Sequence, residues 1–169
     1  DLERLQRSIN GILAPEIVVG DVRRAPEGFD ARFSATAREY RYRIDAGPWP
    51  DPFEARLVWH RPGELSVRSM RAAAGSLLGE HDFAAYCRPR AGATTRRRLL
   101  RCEWRRDGSL TVATIEADAF CHSMVRSLVG AFLAVGEGRR DIGWPAGVLQ
   151  RGVRDSAVQV VAAHGLTLE

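Results

Sequence analysis

Residues 28–42 read Gly-Phe-Asp-Ala-Arg-Phe-Ser-Ala-Thr-Ala-Arg-Glu-Tyr-Arg-Tyr, and the second half of this stretch decides the fold class. From residue 36 to residue 44 the side chains alternate between two kinds. One face carries Tyr40, Tyr42 and Ile44, and the other face carries Glu39, Arg41 and Arg43. Period-two alternation is typical of a β-strand with one buried face. The stretch therefore predicts a half-exposed strand over 36–44.

Working outward from this strand, the rest of the chain adds a hairpin and several helices. Strands are predicted over 97–106 and 110–119, because Asp107-Gly108 between them is a hairpin signal. Apolar residues at helical spacing predict helices over 1–13, 66–79, 122–135 and 144–150. Shorter strands are predicted at 17–22, 55–60, 158–161 and 166–168. The fold class is therefore α+β, with a mainly antiparallel sheet and helices packed on it.

Length and composition limit the class of protein. The chain has 169 residues, of which 45% are hydrophobic, and we predict a single domain over 1–169 with a core of its own. No stretch approaches the roughly 20 uninterrupted apolar residues that a membrane span needs. The first residues, Asp1-Leu2-Glu3-Arg4, do not resemble the basic start of a signal peptide. We therefore expect no membrane association and a cytoplasmic location.

Positive charge is concentrated in one segment. All 25 basic residues are arginines, and the formal net charge is +4. Residues 88–106 hold eight arginines against one acid, Glu103, so this segment alone carries a charge of +7. A basic segment on a mildly acidic body favours a polyanionic partner. A solvated charged loop, in a chain whose arginine content reflects codon bias, is the alternative.

Cysteine and histidine spacing indicates no metal site. The three cysteines, Cys87, Cys102 and Cys121, are far apart and form no C-x-x-C pair, so we expect reduced, partly buried thiols. The four histidines show no H-E-x-x-H or similar spacing. The sequence therefore predicts neither a bound metal nor a disulfide.

Two residues are candidates for a role beyond packing. Tyr40 is either a core residue of its strand or a ring that stacks on a base or sugar. Arg126 falls at the margin of the apolar face of the helix predicted over 122–135, where it either reaches solvent or points toward a cleft. From residue spacing alone, the chain is a basic α+β protein that binds RNA or DNA.

Four segments, in order and in register, resemble the TruA-type tRNA pseudouridine synthases. Residues 28–42 resemble the F-[HD]-A-R-F-S-A-T-x-R-x-Y-x-Y signature of that family, and residues 77–83 (Leu-Leu-Gly-Glu-His-Asp-Phe) resemble its L-x-G-x-H-D-F element. Residues 119–130 (Ala-Phe-Cys-His-Ser-Met-Val-Arg-Ser-Leu-Val-Gly) resemble the F-x-x-x-M-V-R-x-[IL]-V-G helix. Residues 163–166 (Ala-His-Gly-Leu) match the closing A-x-G-L. The resemblance covers nearly the whole chain.

This resemblance implies a cofactor-free isomerisation of uridine to pseudouridine at positions 38–40 of the tRNA anticodon stem-loop. The base leaves its stack, and an aspartate drives cleavage of the glycosidic bond before the uracil reattaches through C5. Arg126 matches the arginine that pairs with this aspartate, and Tyr40 matches the tyrosine that packs against the target uridine. Arg32 is expected to meet phosphate or line the cleft. The family is homodimeric, with tRNA contacts from both subunits.

One family element is absent. The catalytic aspartate belongs to an R-T-D-A-G-V-H-A segment that precedes the 28–42 signature, and no such segment occurs in this chain. We therefore expect the chain to be a C-terminal portion that is inactive alone. It would still carry RNA-binding residues, for which the candidates are Arg96, Arg97, Arg98 and His122.

Two alternatives remain open. The chain could be a non-catalytic RNA-binding module whose arginine surface binds structured RNA. It could also be an unrelated small-molecule enzyme that uses His81 with Asp82 or His122, although sequence neighbours such as His81 and Asp82 point to opposite sides of most elements.

Overall fold

The computed structural model describes all 169 residues, and its backbone forms two compact units, residues 1–35 and residues 36–169. The prediction of one domain over 1–169 stays a prediction.

The first unit contains one helix, α1 (Leu2–Leu13), as the apolar spacing predicts. Asp1 caps it, because the Asp1 carboxylate accepts hydrogen bonds from the backbone N–H groups of the first turn. The strand predicted at 17–22 is wrong. The carbonyl of Val19 instead accepts hydrogen bonds from the side chains of Gln6 and Asn10, so α1 satisfies backbone groups that a strand would pair.

The second unit is built on a six-stranded sheet. Its strands are β1 (Arg38–Asp45), β2 (Trp59–His60), β3 (Gly79–Asp82), β4 (Arg96–Asp107), β5 (Leu110–Ala117) and β6 (Leu166–Leu168). Their order is β2-β1-β5-β4-β3, with β6 also beside β1. Every pairing is antiparallel except the short one between β1 and β2. The predicted hairpin and the mainly antiparallel sheet are confirmed.

Helices cover one face of this sheet. They are α2 (Val67–Gly75), α3 (Met124–Gly136) and α4 (Trp144–Arg151), and a 3₁₀ turn covers Ala84–Tyr86. Every residue of α3 except Arg126 is buried. The Phe132 ring of α3 meets the buried Trp104 of β4 edge-on, at 5.8 Å between centroids. None of the helices combines the length and hydropathy that a bilayer span requires.

The predictions of the shorter elements agree less well with the structure. Between 55 and 60, only Trp59 and His60 pair with β1, because the N–H groups of Leu57 and Val58 bond to the Glu54 carbonyl in turns. The helix predicted over 66–79 ends at Gly75, and β3 follows it. Residues 158–161 are not a strand, since they pack against α3: a Cβ on Gly130 would lie 1.9 Å from the Gln159 carbonyl oxygen.

Candidate active site

A pocket of about 310 Å³ opens in the second unit. This volume lies at the lower end of the range for small-ligand sites, ~300–1,000 Å³. Three separate stretches of chain line it: β1, the loop 118–123 with the first turn of α3, and β6. The lining residues are Tyr40, Phe120, Cys121, His122, Ser123, Met124, Val125, Arg126 and Leu166. No carboxylate is among them.

Tyr40 forms one wall of the pocket. The sheet register pairs it with Ile115 of β5 on one side and with Leu168 of β6 on the other. Its ring meets the Phe120 ring edge-on, at a centroid distance of 5.3 Å and an interplanar angle of 79°. Phe120 was not singled out in the sequence reasoning, although its fixed place in the 119–130 motif was a signal. The two rings hold each other in position, so the pocket has a rigid aromatic wall.

Arg126 projects into the same pocket from α3. Its Nε donates a hydrogen bond to the Val161 carbonyl at 2.6 Å, and the Val161 N–H donates to the Arg126 carbonyl at 3.4 Å. The terminal nitrogens Nη1 and Nη2 make no hydrogen bond within the chain. The guanidinium is therefore fixed through Nε, while its outer edge is available to an anion.

Tyr42 contacts the same segment as Arg126; the sequence placed it on the apolar face of its strand but gave it no role at the site. Its hydroxyl donates a hydrogen bond to the Ala162 carbonyl at 2.7 Å. Arg126 and Tyr42 therefore bind two consecutive carbonyls of one segment. Burial raises the pKa of Tyr42 far above its ordinary value, and the positive charge of Arg126 opposes this rise. Gly165 allows the close packing, since a Cβ there would lie 2.9 Å from Cζ of Tyr42.

The loop 118–123 is held in place by backbone contacts to the arginine-rich segment. The N–H of Arg98 donates to the Asp118 carboxylate at 3.0 Å, and the N–H of Arg88 donates to the His122 carbonyl at 2.9 Å. The loop ends at Ser123, a non-glycine residue with φ of 66°. His122 itself is exposed at the pocket, so Tyr40, His122 and Arg126 lie together.

The expectation of three reduced thiols is wrong for two of them. Cys87 and Cys121 form a disulfide, with their Cα atoms 5.7 Å apart. Their separation of 34 residues in sequence hides this proximity, which the packing of the loop 118–123 creates. Cys102 is free, and burial raises the pKa of its thiol to about 12.

The three consecutive arginines do not line the pocket. Arg96 and Arg98 point to the same side of β4 and form ion pairs with Glu80, at 3.6 and 4.0 Å. The guanidinium of Arg97 instead donates to the backbone carbonyls of Thr94 and Arg96. Arg96 and Arg98 are therefore exposed cations, whereas Arg97 stabilises the local backbone.

Arg32 belongs to the first unit. Its guanidinium lies over the Phe33 ring, 5.2 Å from the centroid. The Asp30 carboxylate accepts hydrogen bonds from the N–H groups of Arg32 and Phe33, both at 2.8 Å, so Asp30 closes a local turn. The pocket residues all lie in the second unit.

His81 and Asp82 have local roles in the fold. A ring nitrogen of His81 hydrogen-bonds the Leu78 carbonyl at 2.9 Å. The Asp82 carboxylate accepts hydrogen bonds from the Thr95 hydroxyl and the Ala84 N–H, which together hold its pKa below the usual range. Nothing in this arrangement favours the small-molecule enzyme alternative. No group of three or more His, Cys, Asp or Glu side chains is placed to hold a metal ion.

Comparison with known proteins identifies the family. Residues 73–169 match the family model described as tRNA pseudouridine synthase. The chain is 57% identical over 168 residues to tRNA pseudouridine synthase A of Frankia casuarinae, an alignment that covers 97% of this chain and 61% of the relative. It is 52% identical over 164 residues to the Mycobacterium leprae protein of the same name, covering 96% of this chain and 57% of that relative.

A third relative, tRNA pseudouridine synthase A of Streptomyces griseus, is 51% identical over 173 residues, covering 99% of this chain and 60% of the relative. The chain thus spans about three-fifths of the length of the curated relatives that it matches. The family match covers more than half of the chain, and it includes α3, the loop 118–123 and β6. The chain therefore belongs to the tRNA pseudouridine synthase family.

Proposed function

We propose that the chain is the C-terminal portion of a tRNA pseudouridine synthase, and that its pocket receives the target uridine at positions 38–40 of the anticodon stem-loop. The observation that carries the proposal is the pocket shared by Tyr40 and Arg126, two residues far apart in the sequence. An aromatic ring beside a fixed guanidinium, in a pocket of this size, suits a base extruded from its stack.

Each pocket residue has a proposed role. The Tyr40 ring packs against the uracil, and Phe120 keeps that ring in position. The free edge of Arg126 pairs with the nucleophilic aspartate, which the N-terminal portion of the longer relatives would supply. A guanidinium beside a carboxylate keeps it ionised where water is excluded. That aspartate drives cleavage of the N-glycosidic bond, and the uracil then reattaches through C5 without a cofactor.

RNA contacts outside the pocket are proposed for His122, Arg32, Arg96, Arg97 and Arg98. His122 is exposed at the pocket mouth. The side chains of Arg96 and Arg98 are 68% and 62% exposed, and their partner Glu80 is also exposed. Ion pairs this exposed are weak, so a phosphate can displace Glu80. Arg97 is the weaker candidate of the three, because its guanidinium bonds to its own backbone.

The assembly and location also belong to this proposal. We propose a cytoplasmic homodimer in which one tRNA contacts both subunits. Light scattering on the purified chain measures its assembly, and a mass near twice 18.7 kDa is expected for a dimer. A monomer at all concentrations would contradict this part of the proposal.

Restoring the missing portion tests the function. The N-terminal portion of the Frankia casuarinae relative is joined to this chain, and tritium release from tRNA labelled at uridine C5 is measured. The hybrid is expected to release tritium, and the chain alone is not, because its pocket lacks a carboxylate.

Arg126→Ala in the hybrid distinguishes a catalytic contact from a phosphate contact. We expect kcat to fall by roughly 100-fold or more, since one charged group that orients the reacting atoms is lost, while tRNA affinity changes much less. Arg68→Ala, which removes an exposed arginine of α2, is the matched control and should leave both unchanged. Equal losses of kcat and affinity would mean that Arg126 only binds phosphate.

A non-catalytic RNA-binding module is the second candidate, favoured by the absence of a carboxylate from the pocket. The same hybrid separates the two. RNA binding that persists without any turnover, in a hybrid that is folded, would support the module.

A further inference from the structure

The disulfide between Cys87 and Cys121 lies at the wall of the pocket. Cys121 lines the pocket between Phe120 and His122, and Cys87 follows the 3₁₀ turn Ala84–Tyr86. We propose that these two cysteines form a redox modification site: exchange with a low-molecular-weight disulfide joins them, and a thiol separates them, so that the affinity of the pocket for RNA follows the thiol–disulfide state. The RNA part of this inference rests on the proposed function.

The backbone brings the two cysteines together independently of the bond. Their Cα atoms are 5.7 Å apart, within the ~4.4–6.8 Å that a disulfide spans without backbone movement. The neighbouring Arg88 N–H donates to the His122 carbonyl, and Arg154 donates to the Cys87 carbonyl at 3.2 Å. The reduced chain therefore keeps both sulfurs close enough to pair again.

The two sulfurs differ in how accessible they are to a small disulfide, and this difference sets the order of the two exchange steps. Cys87 is 1% exposed, whereas Cys121 is only partly buried and borders the open pocket. A small disulfide RSSR reaches Cys121 first. The Cys121 thiolate attacks one sulfur of RSSR, which forms a mixed disulfide and releases RS⁻.

The Cys87 thiolate then attacks the Cys121 sulfur and releases the second RS⁻. In total, two cysteine thiols are oxidised to one disulfide, and RSSR is reduced to two RSH. A small thiol reverses both steps. Disulfides are rare where cellular thiols keep cysteines reduced, and those that form there are usually transient or redox-sensing.

The bond acts on the pocket through the loop 118–123. Phe120 supports the Tyr40 ring, and His122 is exposed at the pocket mouth. With the disulfide closed, both neighbours of Cys121 are held to the turn at Cys87. An ordered site loses less conformational freedom on binding, so the oxidised chain binds RNA more tightly.

Cys102 provides a matched control within the same chain. It is not part of the pocket wall, and burial raises the pKa of its thiol to about 12, so it forms little thiolate. Cys102→Ala should therefore leave the exchange intact, whereas Cys87→Ala and Cys121→Ala should each abolish it.

The thiol chemistry is tested on the whole chain. The protein is incubated with oxidised glutathione or with dithiothreitol, unfolded in N-ethylmaleimide, and weighed by intact mass spectrometry. We expect one labelled cysteine after oxidation and three after reduction, with Cys102→Ala giving none and two. Failure of glutathione to produce the Cys87–Cys121 bond, or equal pairing by Cys102, would overturn the inference.

The effect on the pocket is measured as the Kd for an anticodon stem-loop hairpin in both states. We expect binding about three- to tenfold tighter in the oxidised chain, a response kept by Cys102→Ala and lost in both Cys121→Ala and Cys87→Ala. Equal Kd values in the two states would overturn the control of binding. A chain that forms the bond but binds RNA in neither state would contradict the proposed function, while the labelling result would still support the redox pair.

Discussion

Tyr40 is the residue at which packing and recognition can be separated most directly. Its strand neighbours Ile115 and Leu168 fix its backbone, and its ring faces Phe120 and the pocket. Because the ring is only partly buried, its removal should affect ligand contact more than folding.

We predict that Tyr40→Ala weakens binding of an anticodon stem-loop hairpin by about 1–3 kcal/mol, the value of one base–aromatic stack. Tyr40→Phe keeps the ring and should bind nearly as the parent chain does. Fluorescence anisotropy measures the affinity, and a thermal melt reports on the fold. Unfolding of Tyr40→Ala would mean that the ring serves the core.

Two buried tyrosines, Tyr42 and Tyr86, allow an effect on RNA binding to be separated from an effect on stability. Tyr42 donates to the Ala162 carbonyl, and Tyr86 donates to the Pro145 carbonyl, both at 2.7 Å. Either change to Phe should cost about 1–3 kcal/mol of unfolding free energy, because a buried carbonyl loses its partner. Only Tyr42→Phe should also weaken RNA binding, since Ala162 adjoins the Val161 carbonyl that holds Arg126. Urea unfolding measures the loss of stability, and fluorescence anisotropy measures RNA binding. If Tyr42→Phe and Tyr86→Phe changed RNA binding equally, the role of Tyr42 in positioning Arg126 would be contradicted.

Among the elements, α3 is the most deeply buried, and it carries Arg126 into the pocket. Its burial on all sides except at Arg126 explains why the apolar pattern predicted the helix well and left that arginine at the margin. Its last turn is fixed by Glu137, whose carboxylate accepts hydrogen bonds from Arg61 and Arg139, both at 2.5 Å. Burial alone would raise the pKa of Glu137, but these two arginines outweigh it and hold the pKa below its ordinary value.

A lowered pKa in the folded state makes the contribution of Glu137 dependent on pH. The ionised carboxylate stabilises the fold above pH 4.5, and this stabilisation is lost as pH falls through the lower pKa of the folded state. Glu137→Gln should therefore cost about 1–3 kcal/mol at pH 7, and the difference from the parent should shrink below pH 4.5. Urea unfolding across a pH series measures this, and a constant difference at every pH would contradict it.

The elements that the sequence failed to predict lack a pattern of their own. In β3, the residues are glycine, glutamate, histidine and aspartate, and the strand exists because β4 offers it a partner from Arg96 to Leu99. Conversely, the apolar run at 17–22 has no strand beside it. Local alternation reports on a buried face, so it detects β1 and β5 but not a polar strand at the edge of a sheet.

For the molecule as a whole, charge placement governs the response to salt. Arg96, Arg97 and Arg98 together could release up to three counterions when they meet phosphate. Changing all three to Gln should flatten the slope of log Kd against log salt by up to about three units, about one per arginine. Arg68→Gln should leave the slope unchanged. An unchanged slope in the triple variant would contradict the proposal that these three arginines contact RNA.

The sequence predicted some of the residues that line the pocket, but not the pocket as a surface. The motif spacing indicated Tyr40 and Arg126, which the pocket brings together. It could not indicate that Arg97 turns back on its own backbone, nor that Cys87 meets Cys121. Both depend on contacts between segments that only the folded chain creates.

The short strand β6 joins the integrity of the pocket to that of the sheet. Leu166 lines the pocket, and the N–H of Glu169 donates to the Glu39 carbonyl at 3.0 Å. Deleting residues 166–169 would remove one wall of the cavity and leave the residues of β1 that pair with β6 without their partner strand. A change in this short strand therefore alters the cavity as well as the sheet.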